Sequence, residues 1–448
     1  MLCPFCAEQD RFELRGGPRL RSVASEIGRV DMSQVVRGST PTRRVQWVQL
    51  AVLSGVHFLV DMFGNVLPAL LPVICDDFQI TLAVGGFVLA SLPLAANGIQ
   101  ILTGHLRPDK TKPLFLHLGV ALSASICLMA LAPRSPAGIA LVVALGVISG
   151  SGVAVAHPEG LRAIHTLDRI TPSLSTAVFM TSGFFGFASG GAISACLVAS
   201  YGLKGLYPLI PCLIVGIVII RLSRVRLAAE HDAPNGNGHA IPASAHVLPF
   251  WKVMSIGIPA AVSTTVILQL MPTHLHELGF DLPFGGFSVA MFGWGGAVGP
   301  FLWTVIAHRK GDLPASVWAF LLSSPFIVLY LLFADHRAAA WLLFGVGFSS
   351  MSAYILTVTL ARESRGFNLG RRMALIVGGT WGIATIVLMI LAPLADWVGT
   401  GLVLKLTPAG YVFSGLFAFL VLRQHPQAER VGAAAVVVEL PREERASA

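Results

Sequence analysis

LSGVHFLVDMFGNVLPALLP, residues 53–72, is an apolar run long enough to cross a bilayer, yet it carries His57, Asp61 and Asn65 at four-residue spacing. Side chains four apart stack on one face of a helix, so the three can turn together toward a polar interior while the rest of the segment meets apolar neighbours. An ionisable residue at membrane depth costs about 2.5–3.5 kcal/mol on insertion scales, and the usual return is an ion, proton or substrate path. This spacing predicts Asp61 as a proton carrier with His57 one turn away. The competing reading is a His57–Asp61 pair that only glues one helix to its neighbour.

The rest of the chain has the composition of an integral membrane protein. Of 448 residues, 54% are hydrophobic and 12% charged, and the mean hydropathy is +0.74; soluble domains carry about a quarter charged residues. Apolar runs near 20 residues predict helices, since barrel strands would alternate over about ten. The net charge of +8 is spread through short loops, as membrane topology requires, and not gathered in a nucleic-acid-binding patch. No Walker loop is present, so ATP is not the energy source, and no nucleotide or other cofactor is expected. Cys3 and Cys6 form a single Cys-x-x-Cys without a second ligand pair, so no metal is expected.

Residues 1–45 read as a disordered segment, with Met32 as a second plausible start, and no cleavable signal peptide is evident. Twelve spans follow, at about 46–74, 80–104, 113–132, 137–157, 173–200, 205–222, 250–273, 283–307, 314–334, 338–361, 372–396 and 401–423. Alternate loops hold Arg43, Arg44, Arg107, Lys110, Lys112, Arg162, Arg169, Arg221, Arg224, Arg226, Lys252, Arg309, Lys310, Arg362, Arg365, Arg371, Arg372 and Arg423, against only Arg134, Lys204, Arg337 and Lys405 in the other set. The positive-inside rule then predicts both termini in the cytoplasm. Residues 223–249 read as a cytoplasmic linker between two six-helix bundles, 46–222 and 250–423, and 424–448 as a disordered tail.

A shift of 200 residues brings Pro72 onto Pro272, Asp77 onto Glu277, Leu82 onto Leu282 and Gly85–Phe87 onto Gly285–Phe287, the signature of two parallel repeats. The same shift lands His57, Asp61, Asn65 and Asn97 on Gly257, Ala261, Thr265 and Ala297, so the first half keeps the strongly polar groups.

Four further constellations stand out. Asn97 and Gln100 share a face of the second span and read either as pathway lining or as amides bonding packed helices. At the end of the fourth span His157, Pro158, Glu159 and Arg162 form a cluster in which the proline is expected to break the helix; the cluster reads as a proton exit and gate, or as a solvated helix end. Gly183, Gly186, Gly190 and Gly191 in the fifth span permit close helix approach or bending. Gln269, Trp294, Tyr354 and Trp381 in the second half suit an amphipathic organic substrate, or ordinary packing.

The 6+6 plan resembles the major facilitator superfamily. HFLVDMFGNVLPALLP from His57, Gln100 with Gly104, His157-Pro158-Glu159 and the glycine-rich fifth span resemble its fosmidomycin resistance subfamily. The resemblance covers roughly residues 46–423. It implies alternating access by two bundles in the cytoplasmic (inner) membrane and proton-coupled efflux of a drug or small metabolite, with a monomer as the working unit. By position, Asp61 with His57 matches the subfamily's first-helix acidic motif and His157 to Glu159 its fourth-helix motif. In GHLRPDKTK the gating acid Asp109 stands one residue further from Gly104 than in the superfamily's usual loop, and Ala192 stands where an antiporter-type motif commonly has proline. A proton symporter importing a metabolite remains the alternative, because one scaffold can run either way.

Overall fold

The computed structural model describes residues 41–103, 111–227, 248–367 and 369–425. Most of the expected amino-terminal segment, linker and tail, together with Met32, Cys3, Cys6 and Asp109, lies outside the described residues.

The first pass begins at Thr42, whose side chain accepts the Val45 N–H, and is built from α1 (Arg43–Gly64) and α2 (Leu67–Phe78). The sequence predicts one continuous helix here, and the structure interrupts it at Asn65 and Val66. Pro68 sits at the start of α2, where its missing N–H costs nothing, and this lets the chain restart a helix after two non-helical residues. The following passes are α3 (Leu82–Thr103); α4 (Leu114–Ser123), continued by a 3-10 segment, Ala124–Leu131; α5 (Pro136–Ile164); α6 (Pro172–Tyr201); and a 3-10 segment, Gly202–Leu209, leading into α7 (Ile210–Leu222). The second half holds α8 (Phe250–Glu277), α9 (Leu282–Lys310), α10 (Asp312–Leu332) and α11 (Ala340–Glu363). It closes with α12 (Leu369–Ala374), a π-helical turn at Leu375–Gly379, α13 (Thr380–Val398), α14 (Thr400–Leu404) and α15 (Thr407–Gln424).

Among the described residues eleven apolar stretches are long enough to span a bilayer, and one of them, Leu174–Leu222, runs 49 residues. At about 1.5 Å per residue that stretch is more than twice a hydrocarbon core. Gly202, at φ +62, turns the chain inside it, so it supplies two passes and the total is twelve. The protein is an all-α membrane protein of two six-helix bundles. Pro158 does not end the fourth pass, as the sequence predicts, because α5 continues through it to Ile164. Membrane helices tolerate interior proline where neighbouring groups satisfy the freed backbone, and this chain also carries Pro72, Pro93, Pro259, Pro272, Pro300, Pro325 and Pro393 inside helices.

With twelve passes, the two ends of the described chain lie on one face, called here the terminal face; the other is the far face. Two apolar cores follow the two halves of the chain. The buried second-half residues that join the first core are Val266, Leu270, Leu388, Ala395, Val403 and Leu404, all in the far-face half of their passes. The halves are therefore cemented at the far face. Large apolar side chains point outward around the bundle, with Trp318, Leu332, Trp341, Ile390 and Trp397 all more than 60% exposed. Such a surface is stable only against lipid.

Candidate functional site

His57 and Asp61, one turn apart on α1, meet His157 of α5 near the middle of the 36-residue first pass. His57 Nε2 lies 3.3 Å from Asp61 Oδ2, and His157 Nε2 lies 3.0 Å from Asp61 Oδ1. Each imidazole is fixed from its other side: His57 Nδ1 is 2.8 Å from the Phe179 carbonyl of α6, and His157 Nδ1 is 2.8 Å from the Val153 carbonyl one turn back. A carbonyl can only accept, so both Nδ1 atoms carry hydrogen and both Nε2 atoms are turned toward the carboxylate. A neutral imidazole of that tautomer offers Asp61 a lone pair. Each contact therefore closes only when a proton lies in it, on the ring or on the carboxyl, and the site has two such positions.

Phe179 stacks on His57 with ring centroids 4.1 Å apart, and the two imidazoles meet edge to face at 5.0 Å. Leu53, Val56, Val60 and Leu116 wall the crevice beside them. His57 is 5% exposed, while the Asp61 and His157 side chains keep 17% and 22% of their surface open. The group thus has an apolar wall on one side and access on the other. The three donors lie within 4.8 Å of one another, near enough to surround one small cation, although a closed structural zinc site needs a fourth ligand.

The fifth pass makes this proximity possible. A Cβ on Gly183 would lie 2.5 Å from Asp61 Oδ2, and Cβ atoms on Gly186 and Gly190 would enter the carbonyl oxygens of Phe58 and Met62. These three glycines seat α1 against α6. Gly191, a third of a turn away, faces Val289 and Ala69 at ordinary contact distance. Asn65 is buried at the break in the first pass and donates to the Phe187 carbonyl at 2.8 Å, which ties the break to α6. Asn65→Leu is expected to lower stability by about 0.6–2 kcal/mol, the range for a side-chain hydrogen bond between membrane helices. Thermal unfolding in detergent would read it as a lowered Tm.

The structure divides the expected fourth-pass cluster. His157 reaches Asp61, whereas Glu159 is buried and pairs with Arg162 at 2.9 Å. Asn97 donates to Pro93 of its own helix, and Asn97 and Gln100 are both partly buried. Trp381 and Tyr354 meet edge to face at 5.0 Å next to the π-helical turn, whose Ile376 carbonyl accepts from the Tyr354 hydroxyl at 3.4 Å. Turns of this kind often mark functional positions in helices. Leu82 opposite Asp396 and Gly86 opposite Ala392 set the register between α3 and α13, and extending it puts Asn97 at the level of Trp381. Trp294 lies 6.4 Å from Phe287, and Gln269 Oε1 is buried without a partner among the described residues. Phe179 is the site residue that spacing arguments miss; its position one turn before Gly183, on the face that meets α1, is the signal that could have found it.

The sequence profile of the Major Facilitator Superfamily matches residues 53–360. The chain is 23% identical to the fosmidomycin resistance protein of Escherichia coli strain K12 over 401 residues, which is 86% of this chain and 96% of that protein. It is also 23% identical to the uncharacterized MFS-type transporter YfnC of Bacillus subtilis strain 168 over 391 residues, 83% of this chain and 92% of that one. Among solved structures it is similar to a bacterial homolog of the human lysosomal transporter Spinster in an inward-facing and occupied conformation. There the TM-score is 0.61 and the identity 15%, over 85% of this chain and 97% of the other.

Proposed function

Because the chain belongs to the Major Facilitator Superfamily, we propose that it exports a small organic compound across the cytoplasmic membrane in exchange for protons, with Asp61 as the group that takes up and releases the proton. It is a membrane transporter and not an enzyme. The observation that carries the proton reading is the pair of Nε2 lone pairs aimed at one carboxylate. Filled with a proton, the His157 contact holds α5 to α1; emptied, a carboxylate faces the lone pairs of both imidazoles and α5 is pushed away from α1. That difference can bias the rocking of one bundle, 46–222, against the other, 250–423. Glu159 with Arg162, nearer the terminal face, offers the proton its way out. Asn97, Gln100, Trp294, Tyr354, Trp381 and Gln269 supply amide and aromatic surface suited to an amphipathic compound. A single chain contains the whole path, so a monomer suffices.

Fosmidomycin, taken from the name of the E. coli relative, is the first compound to test. Inverted vesicles with an acid interior should accumulate it, and an uncoupler should abolish the accumulation. Absence of flux for it and for a panel of amphipathic anions would overturn the reading, and accumulation only with an alkaline interior would mark import by symport. The terminal face is proposed to be cytoplasmic, since two of the four far-face cations, Arg134 and Arg337, are already paired with Asp77 and Asp281. A reporter fused after Arg226 should therefore read cytoplasmic and one after Arg134 external; the reverse pattern would invert the topology.

A further inference from the structure

The second pass begins without a cap of its own. Its first free backbone donors, Leu82 N–H and Ala83 N–H, are bonded by the carboxylate of Asp396, at 2.7 and 2.6 Å to Oδ1 and Oδ2. Asp396 lies near the end of α13, in the other bundle, and the contact is at the far face. A turn further along α3, a Cβ on Gly86 would run into Ala392, so helix backbone and helix side chain are already as close as they can pack. Leu388 and Ala395 of the same α13 stripe are part of the first core.

The internal repeat shows that this arrangement is not required of the fold. At the equivalent helix start in the second half, α9, the cap is local: Asp281 accepts the Phe284 N–H at 2.8 Å. The Phe284 N–H and the Arg337 guanidinium hold its carboxyl below the usual carboxylate range. The repeat also sets Pro283, which has no N–H, at the place of Ala83, and Cys196 at the place of Asp396. The eighth pass thus keeps its cap wherever the bundles move. The second pass keeps its cap only while the two bundles touch.

We propose that Asp396 is a gating residue, a latch that caps the second pass from the opposite bundle and holds the far face closed. Opening that face separates α13 from α3 and leaves two helix-end donors and a carboxylate to be rehydrated, so the latch weights the cycle toward the far-closed state. This does not depend on which solute or ion is carried.

Cys75 is a built-in reporter. It lies on α2 beside Gly85, its Sγ 3.3 Å from where a Gly85 Cβ would stand, and it is half-buried. The full chain with Cys75 as its sole cysteine, in lipid nanodiscs, would be labelled with a charged maleimide. Asp396→Ala should label about ten-fold faster, the scale of a lost helix cap, Asp396→Asn, which keeps one accepting oxygen, less so, and Asp396→Glu should stay slow. Ala83→Pro copies the second-half sequence, removes one donor without disturbing a helix start, and should label at an intermediate rate; it also decides the matter if Asp396→Ala fails to fold. A lowered Tm in Asp396→Ala with Cys75 labelling unchanged would make the carboxylate a structural cap only and overturn the proposal, as would parent-like labelling in a folded Ala83→Pro protein.

Discussion

Asp61→Asn is expected to insert, fold and bind the transported compound, and to lose accumulation against a gradient. Asparagine keeps the size of the side chain, and its Nδ2–H can donate to the lone pair of one facing imidazole, so at least one of the two contacts at 3.0 and 3.3 Å survives without an exchangeable proton. One proton per cycle driven by about 100 mV supplies about 2.3 kcal/mol, roughly a 50-fold concentration ratio. The variant should fall to a ratio near one while exchange or downhill flux continues. If His57 and Asp61 only hold helices together, the opposite pattern appears: Asp61→Asn accumulates like the parent, and Asp61→Leu, which leaves both imidazoles unanswered, is damaged. Accumulation and binding measured on the same vesicles separate the two, and parent-like accumulation by Asp61→Asn would move the search to Glu159.

The fold was written plainly in the chain because lipid imposes a simple condition: each crossing must be apolar and satisfy its own backbone. That condition located the passes to within a few residues, save at the end of the fourth, which was expected at 157 and runs on to Ile164, and the 200-residue repeat paired helix starts that the structure also pairs, Leu82 with Leu282. The site was legible only in part. Four-residue spacing rightly put His57 beside Asp61 and Asn65 on the same side, since the three meet α6 at Phe179, Gly183 and Phe187 in turn; what it did not show is that the helix breaks at Asn65, whose amide ties the break to the α6 backbone and not to the carboxylate. His157 and Glu159 were read as one cluster because they are near in sequence. Residues two apart on a helix point in nearly opposite directions, so one reached Asp61 and the other Arg162. Contacts across the whole chain, such as Asp396 with Leu82, leave no local pattern at all. Nothing in a helix end that lacks a cap says which distant carboxylate will supply it.

The glycines of the fifth pass divide into those that seat α1, Gly183, Gly186 and Gly190, and Gly191, which is buried facing α9, and a methyl group on three of them gives the second large effect. Gly183→Ala would place its Cβ against His57 Cε1 and 2.5 Å from Asp61 Oδ2, so the carboxylate must swing away from at least one imidazole. Overpacking of this kind costs about 1–3 kcal/mol, yet the larger consequence is chemical: the two proton positions can no longer be filled together. Accumulation should fall about ten-fold or more, a loss of at least 1.4 kcal/mol of coupling, while the lowering of Tm stays modest because the atoms that yield are side-chain ends. Gly186→Ala meets the Phe58 carbonyl, which is backbone and cannot rotate away, so its main effect should be on Tm. Gly191→Ala meets Val289 Cγ1 at 3.4 Å and Ala69 Cβ at 3.5 Å, ordinary packing, and should leave both properties near the parent, with a gain in helix propensity. The order of the three in Tm and in accumulation is the test. If Gly183→Ala accumulates like the parent, or if all three lose activity only in step with their stability, then the close contact of Asp61 with both imidazoles is packing, and the proton must be carried elsewhere.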